Sequence, residues 1–156
     1  MSPPSATLTA ESPAAPIVLH TRFGEMTVDP ETALHLPRGL LGFSNLHDFA
    51  LATMPAERYG RFRILQSLEG PEVSFIVLPY ETSDALIAEP DLDAACEALG
   101  IARGESATLL IVSIRKAGET AMVSVNLRAP VIVDLKRRMA WQFVLANPEY
   151  SVRHAL

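Results

Sequence analysis

The chain has 156 residues, 49% hydrophobic and 20% charged, with a formal charge of -5 from 13 basic and 18 acidic side chains. That apolar content excludes a wholly disordered chain, and the length suits one core rather than two. The sign of the charge argues against a duplex nucleic-acid binder, whose affinity rests on neutralising phosphates, and suits a basic protein partner.

A lone cysteine, Cys96, excludes an internal disulfide and a cysteine-built zinc cage. The most apolar run, residues 107–112, is strand length and well under the roughly 18 residues a spanning helix needs. Residues 1–6 have neither a basic region nor an apolar one of the signal-peptide kind. A reducing cytoplasm is the expected location, with no membrane role.

Along the chain, residues 1–16 hold Pro3, Pro4, Pro13 and Pro16 among Ser, Thr and Ala, which predicts a flexible leader. A single domain is expected over 17–156. Residues 17–22 and 26–28 flank Phe23-Gly24-Glu25 as the strands of a hairpin. Leu34-His35-Leu36 is extended and stopped by Pro37. Residues 48–54 alternate, 62–68 put Phe62, Ile64, Gln66 and Leu68 on one face, and 73–79 are β-branched. A helical turn is expected over 82–88, ended by Pro90. Asp91 is placed to cap a helix over 92–99 that Gly100 closes. Leu92, Ala95, Cys96 and Leu99 share one face of it, so Cys96 reads as a packed thiol rather than a nucleophile.

The C-terminal half returns to strands. Residues 107–115 and 120–127 surround Lys116-Ala117-Gly118-Glu119 as a hairpin; 131–135 and 139–146 surround the charged turn Lys136-Arg137-Arg138. The tail from Asn147 is polar with spaced apolar anchors. About eight to ten strands with one or two short helices predict a mainly β chain, a small closed or barrel-like structure that hides its edges.

Chemistry of the catalytic kind has little to stand on. His20, His35, His47 and His154 form no metal-ligand spacing. No Gly-x-Ser-x-Gly elbow, Walker loop or Gly-x-Gly-x-x-Gly occurs, and Glu69, Glu72 and Glu81 read as solvated loop carboxylates. No enzyme activity, cofactor or metal is expected. Lys136-Arg137-Arg138 with Arg128, followed by Trp141 and Phe143, is the one patch on which single-stranded RNA could stack; a solvated turn before a core strand fits it better. A small-molecule-binding barrel is the other alternative.

Two segments join turn residues directly to apolar anchors. In Leu36-Pro37-Arg38-Gly39-Leu40-Leu41-Gly42-Phe43, the glycines permit a defined loop anchored by Leu40, Leu41 and Phe43. In Asn126-Leu127-Arg128-Ala129-Pro130-Val131, Pro130 separates two extended stretches. Their functional reading is a shaped surface that docks a protein.

With these residues the chain resembles the FliW family from about Thr21 onward. The family's His-Phe-Pro-x-Gly-x-x-Gly-Phe motif reads here from His35 to Phe43, and its Leu-Gln-Ser segment is Leu65-Gln66-Ser67. Its Asn-Leu-Lys/Arg-Ala-Pro motif is Asn126 to Pro130, and its closing Tyr-Ser-x-Arg-His motif is Tyr150-Ser151-Val152-Arg153-His154. Leu41 and Ala155 stand where that family commonly has proline, and Ser44 where it has an acid. The resemblance implies a mainly β fold without enzymatic activity that binds the translational regulator CsrA, relieves repression of flagellin synthesis, and binds flagellin in a partner-switch. Arg38, Phe43, Asn126, Arg128, Tyr150 and Arg153 are the expected partner-contacting residues. A monomer without direct nucleic-acid contact is expected.

Overall fold

The computed structural model describes residues 15–156, so all but the last two residues of the expected leader lie outside the described residues. β1 (Ile17–Thr21) and β2 (Gly24–Val28) make the predicted antiparallel hairpin, a two-stranded sheet of its own. The remaining strands are β3 (Ala33–His35), β4 (Asp48–Thr53), β5 (Arg63–Ser67), β6 (Ser74–Pro79), β7 (Ser106–Ala117), β8 (Thr120–Val125), β9 (Val131–Asp134), β10 (Met139–Gln142) and β11 (His154–Ala155). They form one sheet in the order β11-β8-β7-β6-β5-β4-β3-β10-β9, and β9 also pairs back onto β7. The sheet is thereby largely closed, as expected of a chain that must hide its strand edges. Its seam is short: β3 and β10 run parallel and share one register pair, His35 with Met139, supported by the His35 N–H donating to the Arg138 carbonyl at 2.9 Å.

The closure depends on the length of β7. Residues 106–109 of β7 pair with β9 and residues 112–117 with β8, along one edge. The other edge pairs with β6 over residues 109–111 only. Between its two registers β7 spends two residues, while the facing chain spends five, 126–130. The surplus is forced out of the ladder as a loop.

Side chains of these strands alternate between two apolar clusters. Leu109, Val131, Val133 and Val77 point inward with Leu34, Phe49 and Leu65. Leu110, Ile132 and Leu78 point outward, where helix α1 (Glu89–Leu99) covers them with Leu92, Ala95 and Cys96. Both faces being covered explains why the strands read as continuous apolar runs. Each fully buried Leu or Phe contributes about 1.5–3 kcal/mol by leaving water.

Several boundaries differ from expectation. The helix starts before Asp91: its N-cap is Ala88, and Pro90 lies in the first turn, where a fixed φ and a missing N–H cost nothing. The turn expected over 82–88 is a shorter 3-10 turn, Thr82–Asp84, after which Ala85 takes a left-handed φ of 51°. β10 stops at Gln142 instead of running to 146, because the next amides bond elsewhere, as described below. No helix among the described residues is long and apolar enough to cross a membrane.

Candidate functional site

Residues 36–47 form a loop whose ends meet: Leu36 N–H donates to the His47 carbonyl at 2.7 Å. Two turns shape it. In the first, Pro37 presets the bend and Gly39 N–H returns to the Leu36 carbonyl at 2.9 Å, Gly39 taking φ +63°. In the second, Phe43 N–H donates to the Leu40 carbonyl at 2.7 Å, with Gly42 at φ +87°. A glycine of positive φ in the third place is the signature of a type II turn. It sends Leu40 into the core and sets Phe43 edge-on to Phe75, 5.2 Å between centroids. Leu41, expected as an anchor, is instead 63% exposed, because it stands at the outer corner of that turn.

The loop is held from below by the β5–β6 connection. Glu69 accepts from the backbone N–H groups of His47 and Asp48, which hold its carboxyl below the usual carboxylate range. The connection is itself built by the Leu-Gln-Ser segment. The fully buried Gln66 donates to the Pro71 carbonyl at 2.9 Å and accepts from the Ser74 hydroxyl. The Ser67 hydroxyl accepts from Gly70 N–H at 2.9 Å. This motif is therefore scaffold, not surface.

The second loop is the excursion forced out of the β7 partner strand. Asn126 closes it by accepting from Ala129 N–H at 3.0 Å, while Leu127 and Ala129 are buried beneath. The chain beyond β10 stitches onto it: Phe143 N–H donates to the Pro130 carbonyl at 2.9 Å, Leu145 N–H to the Arg128 carbonyl at 2.8 Å, and Leu127 N–H to the Ser151 carbonyl at 2.9 Å. Arg128 Nε donates to the Leu145 carbonyl at 3.2 Å.

One side chain joins the two loops. Gln142 Oε1 accepts from Leu41 N–H at 2.8 Å, and its Nε2 donates to the Ala129 carbonyl at 3.1 Å. Reading the sequence alone misses Gln142: a polar residue ending a strand has no spacing that marks a bridge. The result is a bonded unit of 36–43, 126–130 and 142–151, with the exposed side chains of Leu41, Val144 and, in the tail, Val152. Beside it lies a cavity of about 370 Å³ lined by Arg38, Trp141, Gln142 and Phe143 together with Ala98 and Leu99 of α1.

Of the six expected contact residues, Arg38 and Arg153 are exposed. Phe43 is half-buried against Phe75, and Asn126 and Arg128 are engaged in the loop bonds above. Tyr150 belongs to the helix start: its hydroxyl donates to the Asp91 carboxylate and accepts from Ala88 N–H at 3.0 Å. The Asp91 bond keeps the phenol protonated to higher pH than usual. The basic turn is tied down too. Asp134 accepts from Lys136 N–H at 3.0 Å and Arg137 N–H at 3.1 Å, and its other oxygen from Arg137 Nε at 2.6 Å. The Arg137 guanidinium holds the Asp134 carboxyl below its ordinary range and sits 5.9 Å over the Trp141 ring. Among the described residues, no three His, Cys, Asp or Glu side chains gather to hold a metal ion.

Residues 17–156 match the family model described as FliW protein. The chain is 34% identical over 143 residues to the flagellar assembly factor FliW of Geotalea uraniireducens, covering 88% of this chain and 82% of that protein. To the protein of the same name from Syntrophotalea carbinolica it is 36% identical over 138 residues, 87% of this chain and 94% of the other. A crystal structure of the flagellar assembly factor FliW superposes with a TM-score of 0.69 at 22% identity, over 90% of this chain and 96% of that one. At that identity the likeness speaks for the fold.

Proposed function

Since the chain belongs to the FliW family, we propose that it serves flagellar assembly as a cytoplasmic, monomeric binding protein with two competing partners. One is the translational regulator CsrA, whose repression of flagellin synthesis it lifts; the other is flagellin. The switch is linkage: each partner lowers the amount of the antagonist free for the other. The unit that does this is the domain over 17–156.

The observation that carries the reading is the Gln142-bridged surface. An early loop is held to a late loop by the Gln142 side chain, and the late loop to the tail by backbone bonds. The exposed Leu41, Val144 and Val152 offer apolar anchors on it, and Arg38 and Arg153 supply charge at its margin. Apolar anchors set affinity, whereas charge mainly speeds encounter.

Titration of the purified chain with CsrA and with flagellin by calorimetry tests this. Association at micromolar concentration or below is expected for each, with flagellin displacing CsrA. Arg153→Ala is expected to weaken binding while the melting temperature holds. Absence of heat with both partners defeats the proposal.

A further inference from the structure

Away from the Gln142 bridge, β7 parts from β6. Their ladder ends at Val77–Ile111, but β7 continues through Ala117, paired among the described residues only with β8. Backbone direction alternates along a strand. Thr108 presents its carbonyl toward β6, to Tyr80 N–H at 2.8 Å, and Ile111 presents its carbonyl the opposite way, to Asn126 N–H at 2.9 Å. By that alternation Ile114 and Lys116 turn their N–H and C=O groups to the edge that β6 has left.

A groove of about 410 Å³ opens at the parting, and its lining is almost wholly apolar. Val112 and Ile114 of β7 line it with Ile76 of β6, Phe23 of the first hairpin, and Tyr59 and Phe62 of the β4–β5 connection. Ile114 is 52% exposed. The rings carry cations: the guanidinium carbon of Arg22 lies 4.8 Å from the Phe23 centroid, that of Arg58 4.9 Å from Tyr59 and that of Arg61 5.6 Å from Phe62. Across segments 22–23, 54–62 and 112–123, and leaving aside Arg115, whose side chain turns to the other face of β7, four basic residues (Arg22, Arg58, Arg61 and Lys116) stand against two acids, Glu57 and Glu119. The whole chain has the opposite balance, 13 basic to 18 acidic. A basic rim on an acidic protein, around an apolar groove beside an open strand edge, selects for the charge, hydrophobicity and backbone form of its occupant at once.

We propose that this groove and the open edge of β7 form a second docking surface, built on other residues than the Gln142 bridge, for an extended segment of another protein. The segment adds as a strand beside residues 113–117, seats alternate apolar side chains in the groove, and places flanking Asp or Glu residues against the arginines. Main-chain bonds supply affinity and alternate side chains specificity, as in other strand additions.

The test selects from a displayed library of random ten-residue peptides on the full chain, then measures a synthesised consensus peptide by fluorescence anisotropy. Enriched sequences are expected to alternate apolar residues and carry flanking acids, and binding is expected to weaken with salt. Ile114→Lys is expected to weaken binding by about tenfold or more. Lys116→Pro removes a donor from the open edge but spares the β8 ladder, and is expected to weaken binding more than Lys116→Gln, which loses only the charge. Should a ribbon variant unfold, the pair Arg58→Glu and Arg61→Glu, placed outside the strands, is expected to abolish binding of the acidic peptide. The proposal is overturned if no such pattern is enriched or if binding ignores these changes. It is equally overturned if the edge is taken by a second copy of the chain, seen as a dimer in sedimentation that Ile114→Lys dissolves.

Discussion

Gly39 and Gly42 share a positive φ and differ in everything around them. A Cβ on Gly39 would lie 2.3 Å from the Phe43 carbonyl oxygen and 2.9 Å from that of Leu46, whereas one on Gly42 would meet nothing within 4 Å. Gly42→Ala then costs only the left-handed conformation, about 1 kcal/mol. Gly39→Ala must also displace backbone, and is expected to cost about 3 kcal/mol or more. Urea denaturation separates them, and equal costs would contradict the packed loop. Gln142→Ala leaves Leu41 N–H and the Ala129 carbonyl without their partner, for an expected loss of about 1–2 kcal/mol. Faster hydrogen exchange at the Leu41 amide is expected with it, and weaker association in the proposed CsrA titration. Leu41 itself takes the second place of its turn. The second place of a type II turn favours proline, yet only a residue with an N–H can reach Gln142, so this chain exchanges a preset bend for a cross-link.

At the scale of the elements, α1 begins on a residue that cannot cap it, and the tail compensates. Tyr150→Phe removes the hydroxyl that holds Ala88 N–H and Asp91, for an expected loss of about 1 kcal/mol in thermal or urea unfolding. The Asp134 turn predicts acid sensitivity. A carboxyl whose pKa is lowered by folding stabilises fully above its unfolded value, about 3.9, and loses that contribution as pH falls through the lower folded one. Asp134→Asn is expected to flatten the acid limb of a plot of urea midpoint against pH; Glu69, lowered for a similar reason, leaves part of the slope. The hairpins and the helix body were readable from residue order, because Gly118, Gly24 and the Leu92–Ala95–Cys96 face act on their immediate neighbours. Ring closure was not readable. Nothing in alternation tells β9 to return to β7 or β10 to lie parallel to β3, since apolar periodicity names a face and not a partner. For the same reason the loops of the candidate site could be found in the sequence, while the Gln142 bridge between them could not.

For the whole molecule, stability should be graded around the sheet. β4, β5 and β6 are each paired on both sides and enclose Phe49, Leu65 and Val77. The β3–β10 seam rests on a single register pair, and the outer β7–β8 ribbon is exposed. Hydrogen exchange read by mass spectrometry is expected to be slowest in β4–β6 and fastest in the ribbon and seam; uniform protection would contradict this.

The seam also joins residues on opposite sides of the chain's middle, His35 with Met139, just as Gln142 joins the early loop to the late one. A growing polypeptide on the ribosome therefore emerges with β3 able to meet β4 but not β10, its other neighbour. Under the proposed function, the contact face comes into being only once the chain beyond Gln142 has left the tunnel. Chains that stop before Gln142 consequently lack that face, so the proposed binding is delivered only by those that extend past it.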